Sequence, residues 1–300
     1  MKKIDSKLLN WVILITLALI WGTSFILIKR GLRSFSSTQV ASLRVFITYL
    51  VLLPVSLRHI RKVDRNNIAS LLIIGIIGNA LPAYLYPAAQ TRIDSTVAGM
   101  LNSLTPVFTL FIGIFIYKRK ATLNQVSGII LGLIGAAGLL YRGDFSFDPT
   151  GLLIVLATLF YGISSNQVTR IKGMNGLVIT SLAFFFIGPV AGINLLMSDF
   201  TTAIATDQWL LNLGYIALLA VIGSAFALAI FNILIIRTSP VFAVSVTYLA
   251  PVVSTMWGKA DGEFITPFMI ISVFCILAGV YLSTRNKRLA VAKAEITHEL

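Results

Sequence analysis

The chain has 300 residues, of which 57% are hydrophobic and only 12% charged, and its mean hydropathy is +0.90. A water-soluble domain carries about 25% charged residues, so lipid rather than water is the solvent for most of this sequence. The net charge of +13 does not indicate nucleic-acid binding. The Lys and Arg residues sit in short loops between apolar runs and build no continuous basic face, a distribution that sets membrane orientation instead.

A helical span needs about 20 apolar residues, and charges divide the chain into ten such runs: 8–28, 37–57, 67–90, 95–117, 121–141, 150–169, 174–197, 208–236, 240–258 and 264–284. The first run is too long for a signal-peptide core and ends in Trp21-Gly22-Thr23-Ser24-Phe25. It lacks a convincing cleavage site and is expected to be retained as a span. The second run holds a charge at its interior, Arg44. The third carries Asn79, Pro82, Tyr84 and Gln90, and the fourth carries Asn102 and Pro106. The fifth has Gly128, Gly132, Gly135 and Gly138, small residues that let helices approach closely; packing within the chain is the expected use, rather than a dimer seam. The breaker Asp148-Pro149-Thr150-Gly151 marks the midpoint. Tyr161, Asn166 and Gln167 follow in the sixth run, Asn194 in the seventh, Asn232 in the eighth, and Thr247, Tyr248, Pro251 and Trp257 in the ninth. The backbone in lipid must satisfy its own hydrogen bonds, so runs of this length are helices.

With the N-terminus placed in the cytoplasm, 17 Lys and Arg residues fall on that side and 6 on the other, with Arg44 inside a span. Both termini are therefore expected in the cytoplasm. Lys29, Arg30 and Arg33 run against this rule, and the sequence offers no account of them.

Two internal offsets relate the halves. An offset of 145 carries Arg92 onto Arg237, Ala98 onto Ala243, Leu104 onto Leu249 and Pro106 onto Pro251. An offset of 140 carries Trp21-Gly22 onto Tyr161-Gly162, Ser24 onto Ser164 and Arg30 onto Arg170. We read two five-helix repeats, 8–141 and 150–284, followed by a cytoplasmic tail, 285–300. Five spans per repeat require the second copy to insert upside down, an architecture common among secondary transporters.

Several motifs resemble those of the EamA-type drug/metabolite transporters: Ile20-Trp21-Gly22-Thr23-Ser24-Phe25, Arg44-Val45-Phe46, Leu104-Thr105-Pro106, Leu249-Ala250-Pro251 and Gly262-Glu263. The resemblance spans about 8–284. It implies an all-α membrane protein of ten transmembrane helices around a central cavity in the cell's inner (plasma) membrane. It also implies export of small organic solutes such as amino acids or related metabolites. Where the first repeat would carry the Gly-Glu pair, Tyr117-Lys118 stands instead.

Arg44 has two readings: a cation snorkelling to the interface or bonded to a neighbouring carbonyl, or an anion-attracting group facing the cavity. Substrate-binding candidates beside it are Trp21, Asn79, Tyr84, Asn102, Tyr161, Asn166, Thr247 and Tyr248. Asn102 and Thr247 occupy corresponding places before Pro106 and Pro251, and these two prolines with Pro82 are the expected kink or gating positions. No Asp or Glu lies within the ten runs, which disfavours proton-coupled cation antiport and favours a facilitator or a carrier of zwitterionic or anionic solutes. One cysteine, Cys275, and two histidines, His59 and His298, make neither a disulfide nor a metal cluster, and no cofactor is expected. The expected partners are a small-molecule substrate and the bilayer, with the protein as a monomer. A membrane enzyme would need a cluster of acids, histidines or a nucleophile with its base, and a receptor would bring a soluble domain; the short loops supply neither. The topology predicts that a green fluorescent protein fused after Leu300 fluoresces and that alkaline phosphatase fused there is inactive. The reverse result would place the C-terminus outside.

Overall fold

The computed structural model describes residues 6–118, 122–140 and 148–298, without side chains for 6, 7, 62 and 283–298. The described residues are all helical and contain no strand. Nine helices among them are long and apolar enough to span a bilayer: Leu8–Gly31, Ser37–His59, Arg65–Gln90, Ser95–Phe115, Leu123–Leu140, Gly151–Val168, Gly176–Leu196, Trp209–Arg237 and Pro240–Ala260. They are called here the first to ninth spans. The last run lies in the helix Pro267–His298, whose apolar part, Pro267–Leu282, is shorter. Large side chains such as Leu196, Val190 and Phe274 are widely exposed. In water that would be a liability, but in hydrocarbon it is the outer surface the bilayer requires.

Polar residues at the starts of the apolar runs fix where helices begin. Ser36 and Gln39 form a reciprocal capping box at the second span. Asp64, Asn175 and Ser239 accept backbone N–H bonds at the third, seventh and ninth. Each satisfies donors that a helix N-terminus leaves open.

Four spans are interrupted. In the third, Ile76–Ala80 widens to a π-helix, and in the eighth Leu219–Phe226 does the same. The fourth breaks between Ser95–Asn102 and Thr105–Phe115. The ninth runs through Pro240–Val244, the 3₁₀ segment Ser245–Tyr248 and then Ala250–Ala260. The offset of 145 relates each pair of interruptions. Pro106 and Pro251 were expected as mid-helix kinks, but both occupy the first turn of a resumed helix. There a missing N–H costs nothing and the fixed φ helps the helix restart. Pro82 likewise opens the helix Leu81–Gln90 after the π segment.

The main packing partners lie in opposite halves: second on seventh span, first on ninth, fourth on sixth, and fifth on the last helix. The glycines of the fifth span serve that last contact, so their use lies within the chain. A Cβ placed at Gly279 would meet the Gly128 carbonyl at 2.5 Å and the Gly132 nitrogen at 2.7 Å.

Oppositely charged residues of the two halves meet at one end of the bundle. Lys29 Nζ lies 2.7 Å from Glu263 Oε1 and 3.0 Å from Asp261 Oδ2. Arg30 pairs with Asp261, and Arg33 reaches the same carboxylate at 3.4 Å. The Asp261 and Glu263 side chains are 5% and 1% exposed. Gly262 between them adopts φ +83°, a left-handed turn that favours glycine. Glu263 also accepts from the Ser95 hydroxyl at 2.6 Å and from the backbone N–H groups of Ser95 and Thr96, each at 2.9 Å. It therefore caps the fourth span from across the molecule, where the helix dipole favours a negative charge. The cations that ran against the charge rule are thus held by partners in the other half.

The positions that the offsets relate to these carry different contacts. Tyr117 donates to Gln167 Oε1 at 2.9 Å, and the exposed Arg170 guanidinium lies 4.6 Å from the Tyr117 ring centre. An exposed contact of this type is worth about 0.5–1 kcal/mol.

Burial alone would raise the Glu263 carboxyl, but its bonds from Lys29, Ser95 and Thr96 outweigh that effect and bring it down to about 2. A carboxylate depressed in the folded state stabilises above its unfolded value and loses that contribution as pH falls through the folded one. Detergent-solubilised protein is expected to lose Tm between pH 4.5 and about 2, and Glu263→Gln to start lower at neutral pH and fall less steeply. Equal slopes would remove Glu263 as the titrating group. Gly279→Leu is expected to cost about 1–3 kcal/mol through overpacking, read as a lowered Tm in the same assay.

Candidate functional site: a cavity between the halves

Inside the bundle lies a cavity with an empty volume of about 960 Å³, open solvent included. Spans from both halves line it, and the interruptions supply much of its polar surface. Trp21, Arg44, Asn79, Asn102, Tyr161 and Thr247 all line it.

The eighth-span π segment is the centre of the polar network. A π turn shifts the hydrogen-bond ladder, so carbonyls there need new donors. Trp21 Nε1 donates to Gly223 O at 3.0 Å, and Thr48 Oγ1 donates to Ala220 O at 3.0 Å. Arg44 Nε donates to Ser224 Oγ at 2.8 Å. In the third span Asn79 Nδ2 donates to Ile74 O at 2.7 Å, five residues back. Ser224 Oγ makes the matching, longer bond to Leu219 O at 3.4 Å. The two side chains are 145 residues apart and treat their own helices alike.

Arg44 lies deep in the protein yet keeps part of its surface open where the cavity meets it. Tyr161 and Tyr86 face the guanidinium. Among the described residues no carboxylate lies within ion-pair distance of Arg44. Its Nε bonds a hydroxyl rather than a carbonyl. Tyr86 donates to Asn102 Oδ1 at 2.7 Å, which orients that amide. Rings complete the walls. Tyr86 and Tyr161 stack with centroids 6.1 Å apart, Phe25 lies 5.7 Å from Tyr86, and Trp21 meets Phe231 edge-on at 4.9 Å.

Three residues expected at the site lie elsewhere. Asn166 is fully buried and donates to Thr109 O and Gly162 O, bonding the sixth span to the fourth where Gly162 lets the backbones touch. The Tyr84 hydroxyl bonds Ser42 and accepts from Asn194, outside the cavity lining. Tyr248 packs against the larger apolar core beside Thr247. Gln90 and Gln167 bridge helices, to Phe25 O and to Ser70 Oγ. Asn232 does line the cavity, held by its bond to Thr180 at 2.9 Å.

The lining also includes Ser24, Tyr86, Ser164, Ser224 and Phe231, none of which was singled out as binding. The repeat offsets would have found them. The offset of 140 pairs Trp21 with Tyr161 and Ser24 with Ser164, and 145 pairs Asn79 with Ser224, Tyr86 with Phe231 and Asn102 with Thr247. All ten residues line the cavity.

The EamA-like transporter family model matches this chain twice, over residues 9–141 and 149–285. An uncharacterised inner membrane transporter of Escherichia coli, YedA, is 27% identical over 289 residues, covering 93% of this chain and 92% of the relative. A probable amino-acid metabolite efflux pump of Salmonella typhimurium is 24% identical over 282 residues, covering 88% and 91%. A solved crystal structure aligns with TM-score 0.62 at 19% identity over 93% of this chain and 98% of that one, a likeness of fold. With nearly its whole length matched by the family model in two copies, the chain belongs to the EamA-like transporter family and is a multi-pass transporter of the inner membrane.

Proposed function

We propose that this transporter moves small organic solutes, amino acids or related metabolites, out of the cell by alternating access, as ten helices in two inverted five-helix repeats with both termini in the cytoplasm. The observation that carries the reading is the cavity. It lies between the two family-matched halves, and residues at related positions of both line it. A solid bundle would have no such place for a solute. Interrupted helices at the cavity are also the form that transporter sites take.

Alternating access needs two closures that open in turn, and the two ends of this bundle carry related contacts of unequal strength. A buried ionic network lies at one, and a tyrosine under an exposed arginine at the other. The outer end, on the charge-based topology, is the strongly held one. The amino-acid class draws support from the Salmonella relative, named a probable amino-acid metabolite efflux pump.

The described cavity lining contains no Asp or Glu, so it offers no carboxylate to exchange a proton for a cationic substrate. This supports a facilitator over a proton-coupled antiporter. Reconstituted in proteoliposomes, the protein is expected to move labelled amino acids down their own gradients, with initial rates within about twofold of one another with and without a pH gradient. Strict dependence on the pH gradient would refute the facilitator. Absence of flux across a panel of amino acids and their simple metabolites would refute the substrate class.

A further inference from the structure

The offsets pair many of the cavity residues, and one pair sets a cation against an apolar ring. Trp21 and Tyr161 are both aromatic, as are Tyr86 and Phe231; Ser24 and Ser164 are identical; Asn79 with Ser224 and Asn102 with Thr247 are neutral polar pairs. The offset of 140 that aligns the first and sixth spans carries Arg44 onto Phe184, which also lines the cavity. One half therefore presents a guanidinium where the other presents a phenyl ring. The frame is nearly symmetric, and the charge is not.

A buried cation without a counter-ion is costly. Arg44 has five N–H donors in a planar fork. Nε is held by Ser224, and Tyr161 lies against the same guanidinium. No acid of the cavity lining balances the charge. A negative group on the solute would do so, and carboxylate geometry matches the fork. The lining holds no second cation, which argues against a phosphate dianion. The rest of the surface is aromatic and neutral.

Resting on the transporter reading, we propose that Arg44 is the carboxylate site of a polarised cavity. Its solute carries one carboxylate at the Arg44–Ser224 end and an uncharged, largely apolar body against the aromatic walls. Ser224 is the positioning residue, because its bond to Nε turns the terminal nitrogens of the fork toward the cavity. An amino group on the solute is met by neutral side-chain oxygens rather than by a charge, so it adds little to binding. A cationic amine without a carboxylate is rejected by like charge in a low-dielectric space.

A matched trio tests this: phenylalanine, 3-phenylpropionate and phenethylamine, which share a phenyl body and differ in charge. Binding to detergent-solubilised protein is read by thermal shift and by tryptophan fluorescence, since Trp21 is in the wall. Phenylalanine and 3-phenylpropionate are expected to bind at least about tenfold more tightly than phenethylamine, the scale of one charge-assisted hydrogen bond. Arg44→Gln is expected to erase that preference, Arg44→Lys to keep part of it, and Ser224→Ala to weaken the carboxylates without admitting the amine. Phenethylamine binding as well as phenylalanine, a preference surviving in Arg44→Gln, or no binding by any of the three to folded wild-type protein would each overturn the proposal. Should Arg44→Gln fail to fold, the trio on wild type and on Arg44→Lys decides. Parallel flux measurements separate the two readings. Carboxylate-selective binding in a protein that transports nothing would sink the transporter and leave Arg44 its role. Transport of phenethylamine unaffected at Arg44 would do the reverse.

Discussion

A helix that opens its hydrogen-bond ladder inside a bilayer exposes carbonyls that water cannot reach, and the rest of this structure follows from how they are satisfied. The π segment Leu219–Phe226 receives donors from Trp21 on the first span and Thr48 on the second, while its Ser224 accepts from Arg44. The third-span π segment receives Asn79 from its own helix. Ser103, at the break in the fourth span, donates to Thr247 O at the break in the ninth, at 3.1 Å. Each interruption is thus tied to a neighbour or to itself. Trp21, Arg44 and Asn79 among the tying groups also bound the cavity.

The same economy operates at the ends. The first two backbone N–H groups of Ser95–Asn102 are satisfied by Glu263, a residue 168 positions away in sequence. That carboxylate is in turn held by Lys29. One set of contacts therefore caps a helix, neutralises a cation cluster and joins the two halves. At the repeat-related end Tyr117-Lys118 replaces Gly-Glu, and Lys118 is exposed with φ +51°. There a ring and an amide serve in place of the carboxylates.

Much of the fold was legible from residues alone. Apolar runs bounded by charge located nine spans and the last helix, because lipid permits little besides continuous helix over such lengths. Ser36, Asp64, Asn175 and Ser239, which were not singled out from the sequence, fix helix starts through local hydrogen bonding that needs no tertiary partner. The repeat offsets carried more than was drawn from them: Ser24, Asn79, Tyr86 and Asn102 all find their counterparts on the cavity wall. The π segments were not legible. Gly78-Asn79 and Gly223-Ser224 are unexceptional dipeptides, and widening of the ladder depends on which donors arrive from other helices.

What the sequence determined by itself was the solvent, the helical class, the approximate limits of the spans and the family. These follow from composition, apolar length and short motifs, all local properties of a chain in lipid. Which polar residue faces the cavity and which bonds helix to helix was decided by tertiary structure. Asn102 and Asn166 are the same residue type in similar apolar surroundings. One has its oxygen fixed by Tyr86 at the cavity, and the other is spent on the carbonyls of Thr109 and Gly162. Lys29 and Arg44 are both cations of the first two spans. One meets Glu263 at the bundle end, and the other meets Ser224 with no acid in reach. A side chain in lipid must find its partner on another helix, and only the packing of the helices decides which partner it finds.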